Sequence, residues 1–214
     1  MGYRERGGSM LMDALEKFWV LLALNGLWLV GCIPVVTAGA STAALYRCVL
    51  RYRRERDIPL LRSFWKSFRE EFWQATWLWL IQVGLLCVLV LDAFVILGTS
   101  LGENKFGGFF LGLLVLAVLP PLGYLMPLQA QFRNSVWGTV RNAWALAFAH
   151  MPISLLVLVV NCVPLGVFLL FPEFFLQTAV IWILLSGSVI AQINTGLLQK
   201  VFAKHIPQEE TDGQ

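Results

Sequence analysis

Long runs without a charged residue constrain the fold of this 214-residue chain more than any other feature. Five runs contain no Asp, Glu, Lys or Arg, and each is about 20 residues or longer: Phe18–Tyr46, Phe72–Leu91, Phe106–Phe132, Asn142–Pro172 and Phe174–Gln199. About 20 apolar residues in a helix cross the hydrocarbon core of a bilayer. A soluble helix would instead show a polar face with a 3.6-residue period. The runs predict an all-α fold, a polytopic transmembrane helical bundle.

The charged residues that remain leave no room for a separate soluble domain. They make up 14% of the chain, against about 25% in soluble proteins, and the stretch Arg47–Glu71 is too short for its own core. We expect a single transmembrane domain over 18–200, with a cytoplasmic connection rich in Arg and Trp at 47–71. The segments 1–17 and 201–214 are expected to be cytoplasmic. Because residues 1–17 lack a signal-peptide pattern, the first run is expected to remain as a span.

Basic residues predict the orientation in the membrane, because Lys and Arg are retained on the cytoplasmic side. Half of the sixteen fall in one connection: Arg47, Arg51, Arg53, Arg54, Arg56, Arg62, Lys66 and Arg69. If Phe18–Tyr46 is one span, the N-terminus lies outside and the basic residues divide twelve inside to four outside. If that run is a hairpin, they divide fifteen to one. The hairpin is favoured, with both termini in the cytoplasm.

The sequence inside this first run also indicates a turn. Pro34 lacks a backbone N–H and Gly39 readily leaves the helical conformation, while Thr37 or Ser41 is placed to cap a new helix. From Ala40 to Arg53 a helix rises roughly 20 Å, which is less than the ~30 Å hydrocarbon core. We therefore predict five full spans plus a short helical hairpin arm, which is a short span or a re-entrant helix: about six membrane helices.

A weak internal repeat supports the hairpin. At an offset of 72 residues, four residues recur in two thirteen-residue segments: Ser63, Trp65, Arg69 and Ala75 match Ser135, Trp137, Arg141 and Ala147. If the repeat is real, a membrane element should precede each segment. Shared interfacial composition or chance explains four identities equally well.

Polar residues inside the spans are the candidate functional groups. Ser188, Gln192, Thr195 and Gln199 follow helical spacing and form one stripe on the last span. Such a stripe serves helix–helix hydrogen bonding or lines a hydrated path. Asn25 is an isolated amide, for which hydrogen bonding between helices is the commoner role. Asp92 is expected near the outer boundary, where it reaches the headgroups or serves as a proton or cation site.

Prolines cluster in the third run. Pro120, Pro121 and Pro127 predict an interrupted helix with unpaired carbonyls, or a simple proline kink. Broken helices at matching positions of two repeats mark the sites of many transporters, and the first break here would be Pro34–Gly39.

The Arg- and Trp-rich connection predicts contact with the membrane surface. Phe64, Phe68 and Phe72 share one face of a helix and Lys66 and Arg69 another, which is typical of an interfacial amphipathic helix at anionic lipid. A docking surface for a partner subunit is the alternative. No nucleic acid is expected, because acidic residues interrupt the cluster.

No catalytic motif occurs, and the chain is not expected to be an enzyme. No cofactor is expected. No metal site is expected either, because the two histidines, His150 and His205, are far apart in the sequence. His150 and Asp92 form the only mixed pair of titratable groups that intramembrane hydrolysis could use, and the expected topology places them at opposite ends of neighbouring spans.

Three segments carry a resemblance to a known family: "LNGLWLVGCIPVVTAGASTAALY" from Leu24, "SFWKSFREEFWQATWLWLI" from Ser63 and "LMPLQAQFRNSVWGTVRNAWALAFAHMP" from Leu125. They resemble the YesL family of bacterial integral membrane proteins, a domain of unknown function. The most specific block holds Pro34, Thr37, Gly39 and Thr42, with Tyr46 directly after it. The chain departs from the family at Ala40-Ser41, where Pro-Ala is frequent.

The resemblance implies a bacterial plasma-membrane protein. Family members also resemble products encoded near sugar ABC-transporter and polysaccharide-use genes. We expect an accessory or structural component associated with carbohydrate uptake or utilisation, with a transporter permease or a second copy as partner. The alternative is a small solute transporter or channel that uses the polar stripe and the proline-broken helices.

Overall fold

The computed structural model describes residues 3–55, 58–98, 105–132 and 134–205. Eight α-helices lie in these ranges: α1 (Tyr3–Cys32), α2 (Ala38–Arg54), α3 (Leu60–Gly98), α4 (Lys105–Gln131), α5 (Val136–Ala149), α6 (Met151–Leu170), α7 (Pro172–Gln177) and α8 (Ala179–His205). No strand occurs among the described residues, so the all-α prediction is confirmed. Arg56, the connection around 99–104 and the tail beyond 205 lie outside these ranges.

Five of the described helices are long and apolar enough to cross a membrane. They supply the segments Met12–Cys32, Leu60–Ile96, Phe106–Gln131, Met151–Leu170 and Ala179–Gln199. In hydrocarbon every backbone N–H and C=O needs a partner within the chain, and a helix supplies these partners locally. The prediction of five spans and a short arm is confirmed, with α2 as the arm.

The helix α2 occupies the centre of the bundle. The five spans contact one another in the cyclic order α1, α3, α4, α6, α8, and α2 packs against four of them, α1, α3, α4 and α8. Eleven of its 17 residues are buried: Gly39, Ala40, Ser41, Ala43, Ala44, Leu45, Tyr46, Cys48, Val49, Leu50 and Tyr52. Small residues dominate its first two turns, and they let neighbouring helices approach closely.

The run Phe18–Tyr46 folds as the predicted hairpin. The helix α1 ends at Cys32, Pro34 is extended (φ −78°, ψ 117°), and a 3₁₀ turn over Val35–Thr37 leads into α2. The predicted side-chain cap is wrong, because the Thr37 hydroxyl donates instead to the carbonyls of Gly31 (2.6 Å) and Pro34 (2.8 Å). The last carbonyls of α1 have no partner in their own helix, and they attract this donor.

The pairing of α2 with α3 shows how far the arm reaches. Arg47 lies beside Glu71, whereas Gly39 lies against Ala75 and Trp79. The two helices are therefore antiparallel, and α3 continues for about 28 Å past Trp79 at 1.5 Å per residue. The arm covers only the half of α3 that is nearer the arginines, which we call the Arg-rich end of the bundle. Measured along α3, the arm is therefore much shorter than the helix beside it.

The run Asn142–Pro172 supplies one span, and that span is shorter than the run. The structure divides the run at His150, where α5 ends, and the span is Met151–Leu170. Pro152 lies in the first turn of α6, and it lacks the backbone N–H that would bond to the Phe148 carbonyl and continue α5. The two repeat segments therefore differ: Ser135 caps α5 by accepting from the Gly138 N–H (3.2 Å), while Ser63 lies inside the continuous helix α3.

We predict that Gly39→Ala destabilises the bundle. An added Cβ would lie 2.5 Å from the Ala75 carbonyl oxygen and also collide with the Trp79 Cβ, so α2 and α3 would have to separate. Overpacking of this kind costs about 1–3 kcal/mol. Unfolding by SDS titration in mixed micelles measures the loss.

Gly84→Ala is the matched control, because the same added Cβ meets nothing within 4 Å on α3. Because alanine has a higher helix propensity than glycine, the free energy of unfolding should stay unchanged or rise by up to about 1 kcal/mol. Equal stability of the two variants would contradict the close α2–α3 contact.

Candidate functional site

A buried ion pair joins α2 to α3. The Arg47 guanidinium contacts the Glu71 carboxylate through Nη2, and the Glu71 side chain is 7% exposed. Arg47 also donates through Nε to the Ala130 carbonyl (3.3 Å), and its Nη1 lies 3.5 Å from Glu70. A carboxylate removed from water needs such a partner to remain charged. The pair therefore ties the central arm to the bundle.

Polar side chains of α4 and α5 extend this ion pair. Gln129 is fully buried, and its amide donates to Glu71 (2.5 Å) and to Gln74 (2.7 Å). The Thr139 hydroxyl donates to the Gln129 carbonyl oxygen (3.2 Å). Four helices thus meet in one hydrogen-bonded network, which we call the Arg47 network. Within it the described side chains satisfy one another, as expected for a structural cluster.

Asn25 links α1 to the last span. It is fully buried, donates to the Ile183 carbonyl (2.7 Å), and accepts from the Ser188 backbone N–H (3.0 Å). An added Cβ on the neighbouring Gly187 would lie 2.9 Å from the Asn25 side chain. Asn25 therefore makes the hydrogen bonds between helices that are expected of an amide in a span.

The rest of the polar stripe on α8 faces α2 or is buried without a partner. Gln199 accepts from Arg53 (2.9 Å), and Asn194, beside the stripe, donates to the Tyr46 hydroxyl (2.9 Å). The Gln192 Oε1 and Thr195 Oγ1 atoms are buried and have no hydrogen-bond partner among the described residues.

A cavity of about 330 Å³ lies between α2, α3, α4 and α6. Thr42, Tyr46, Gln82 and Asn161 supply its polar groups, and apolar or aromatic side chains form most of the remaining wall. No residue of α8 lines it, so the polar stripe and the cavity are separate features. The structure brings together Thr42 and Tyr46 from the predicted set, and adds Gln82 and Asn161.

The prolines of α4 do not interrupt the helix. Pro120, Pro121 and Pro127 all lie inside the continuous helix Lys105–Gln131, so the predicted break is wrong. Packing explains the difference, because all three are buried among the neighbouring spans. Each proline still leaves one carbonyl without its i+4 donor. For Pro127 that carbonyl belongs to Gly123, and both residues line the cavity.

The remaining candidate residues lie apart from one another. Arg69 is exposed on α3 beside Arg62, Trp65 and Lys66. Asp92 is partly exposed on α3, far along the chain from that group. The carbonyl of His150 accepts from the Ser154 hydroxyl (3.0 Å) at the start of α6.

No metal site is formed by the part of the chain that the structure describes. No group of three or more His, Cys, Asp or Glu residues in it has the arrangement to hold an ion.

Sequence reasoning missed Glu71, Gln129 and Thr139. Glu70 and Glu71 are adjacent acids on an amphipathic helix, and both lie near Arg47, but only Glu71 is buried. The signal that was available is an arginine, Arg47, at the end of an apolar run, which needs a buried acid as partner. Nothing local distinguishes the two glutamates, because their exposure depends on which face of α3 the arm covers.

Comparison with protein families identifies one segment of the chain. Residues 21–93 match the family model described as "Protein of unknown function, DUF624". This match spans about a third of the chain, from α1 into α3, and it includes the hairpin and both charges of the Arg47–Glu71 pair. The resemblance to the YesL family is consistent with it. No curated protein and no solved structure matches the chain.

We predict that Glu71→Gln destabilises the bundle by about 2 kcal/mol. The change leaves Arg47 without its buried counter-charge; full burial of both partners would make the loss about 3–5 kcal/mol, but Arg47 is 21% exposed. SDS-titration unfolding of the purified chain measures the difference.

Glu70→Gln is the matched control. Its carboxylate is 42% exposed and lies 3.5 Å from Arg47, and exposed pairs contribute about 0–1 kcal/mol. A loss as large as that of Glu71→Gln would show that the buried geometry is not what stabilises α2.

Proposed function

We propose that this chain is a non-enzymatic accessory component of the bacterial plasma membrane, which binds a permease for carbohydrate uptake. The observation that carries the proposal is the position of α2. A path for a solute would have to pass through the middle of the five spans, and there the arm lies buried against four of them. An occupied centre favours a binding role over conduction.

The charged end of the arm supports this argument. Arg47 is engaged by Glu71, and Arg53 donates to Gln199 of α8. Moving α2 aside would leave the Glu71 carboxylate buried without a counter-charge, at a cost of several kcal/mol. The Arg47–Glu71 contact therefore holds α2 stably in the centre of the bundle.

The docking surface that we propose lies on α3 at the Arg-rich end. It consists of Arg62, Trp65, Lys66 and Arg69, and Trp65 is 42% exposed although it packs edge-on against Phe68. Exposed Trp with basic neighbours is suited to anionic lipid headgroups, and Trp and Arg are also enriched at protein interfaces. The link to carbohydrate uptake rests on the resemblance to the YesL family, and co-purification of a sugar permease tests it.

We predict that a sugar-permease subunit co-purifies with the tagged chain from membranes in mild detergent. Trp65→Ala should lower the recovered permease roughly tenfold, because loss of an interface Trp costs about 1–2 kcal/mol or more. Quantitative mass spectrometry of the eluate measures the ratio.

Trp19→Ala is the control, because Trp19 is 63% exposed on α1 and lies outside the proposed surface. It should retain the permease. Absence of any permease from the wild-type eluate, or equal loss in both variants, refutes the docking proposal.

We also propose that the Arg-rich end faces the cytoplasm, with both termini on that side. A reporter fused before Tyr3 and one fused after Gln214 should both show cytoplasmic activity, because the basic residues gather at that end. An external signal from the N-terminal fusion would contradict this orientation.

The alternative of a small transporter stays a prediction. The unpartnered Gln192 and Thr195 oxygens favour it, and the uninterrupted α4 helix and the filled centre oppose it. Solute flux into liposomes that Gln192→Leu abolishes would support it over the accessory role.

A further inference from the structure

We propose that the cavity between α2, α3, α4 and α6 binds a lipid with an uncharged, hydroxyl-bearing head, such as a monoacylglycerol. The head would occupy the cavity and the acyl chain an adjoining apolar groove on α3. The proposal does not depend on the permease or on the orientation of the chain. It rests on the hydrogen-bonding groups that the cavity leaves unused.

The lining of the cavity favours a neutral ligand. None of the described residues that line it is Asp, Glu, Lys, Arg or His. A charged head placed there would lose its hydration without gaining a counter-charge, at a prohibitive cost. A neutral polar head, in contrast, requires only hydrogen-bond partners.

Two side chains offer hydrogen-bond donors to such a head. Tyr46 is 6% exposed, and its hydroxyl accepts from Asn194, which leaves its own proton without an acceptor among the described residues. Gln82 makes no hydrogen bond to any described residue, so its whole amide is available. Thr42 is excluded as a donor, because its hydroxyl already donates to the Ala38 carbonyl (2.8 Å).

Besides Gln82, two groups offer acceptors. Asn161 uses its amide N–H on the Val157 carbonyl (2.7 Å), which leaves its side-chain oxygen available. The Gly123 carbonyl lacks its i+4 donor because residue 127 is proline. A ligand that only accepts, such as a quinone, would leave both oxygens unmatched. A hydroxyl group donates and accepts, and it therefore complements both kinds of group.

The groove beside the cavity explains why the ligand should be a lipid. Val83, Leu86, Cys87, Val90 and Leu91 form an apolar strip along one face of α3, and Leu86 also lines the cavity. The strip rises about 12 Å along the helix. Cys87 is exposed in the groove, and Cys162 is exposed at the cavity wall. A chain entering from the bilayer can therefore lie in the groove while its head enters the cavity.

Photocrosslinking of the full chain tests the proposal. The chain is placed in phosphatidylcholine nanodiscs with a monoacylglycerol that carries a diazirine in its acyl chain. We expect saturable labelling of the peptide that contains residues 83–91. Monooctanoylglycerol should displace it, whereas a lysophosphatidylcholine of equal chain length should not.

Gln82→Leu should weaken the labelling affinity about tenfold, the effect of losing one or two hydrogen bonds. The Gln82→Leu change removes a polar group from an apolar span and should leave the fold intact. Asn161→Leu on α6 is an independent second variant. Gln177→Leu is the control, because this exposed amide on α7 lines neither cavity nor groove.

Three results would overturn the proposal. Displacement by lysophosphatidylcholine at the same concentration would mean that the site takes any lipid. Displacement by glycerol alone would mean that it takes a free polyol. Wild-type affinity in both Gln82→Leu and Asn161→Leu, or equal loss in Gln177→Leu, would remove the cavity as the site.

Discussion

The buried contact between Arg47 and Glu71 is the interaction on which the rest of the architecture depends. An arginine at the end of an apolar helix enters the bundle only if a counter-charge lies opposite it. Glu71 supplies this charge from α3, and Gln129 holds the second carboxylate oxygen. The central position of α2 follows, because the pair places the arm against α3 and α4 together.

The composition of the arm allows the close packing that this position requires. Gly39 meets α3 where a methyl group would collide with the Ala75 carbonyl. Ser41 and Thr42 hydrogen-bond to Trp28 of α1 rather than to solvent. A helix surrounded by four others cannot present long side chains on every face. The small side chains in the first half of α2 therefore allow it to pack at the centre.

The short length of the arm also accounts for the cavity. The arm pairs with α3 only as far as Trp79, and Gln82 and Leu86 lie beyond that point. Three longer helices continue past it, and the space that α2 leaves among them is lined by Tyr46, Gln82 and Asn161, which keep unused hydrogen-bonding groups. The filled centre and the adjacent cavity therefore have one origin, a central arm that is shorter than the spans beside the cavity.

The sequence by itself determined the class, the spans and the hairpin of this protein. Charge-free runs of sufficient length must form helices in a bilayer. Pro34 ends the first of these helices because it lacks a backbone N–H, whatever packs around it. Tertiary structure decided the remainder. Glu70 and Glu71 are equivalent in the sequence, and only the packing of α2 makes one of them buried. The prolines of α4 stay within a helix because neighbouring spans enclose them. The cavity combines Tyr46, Gln82 and Asn161 from three helices, and such distant residues meet only when the bundle closes.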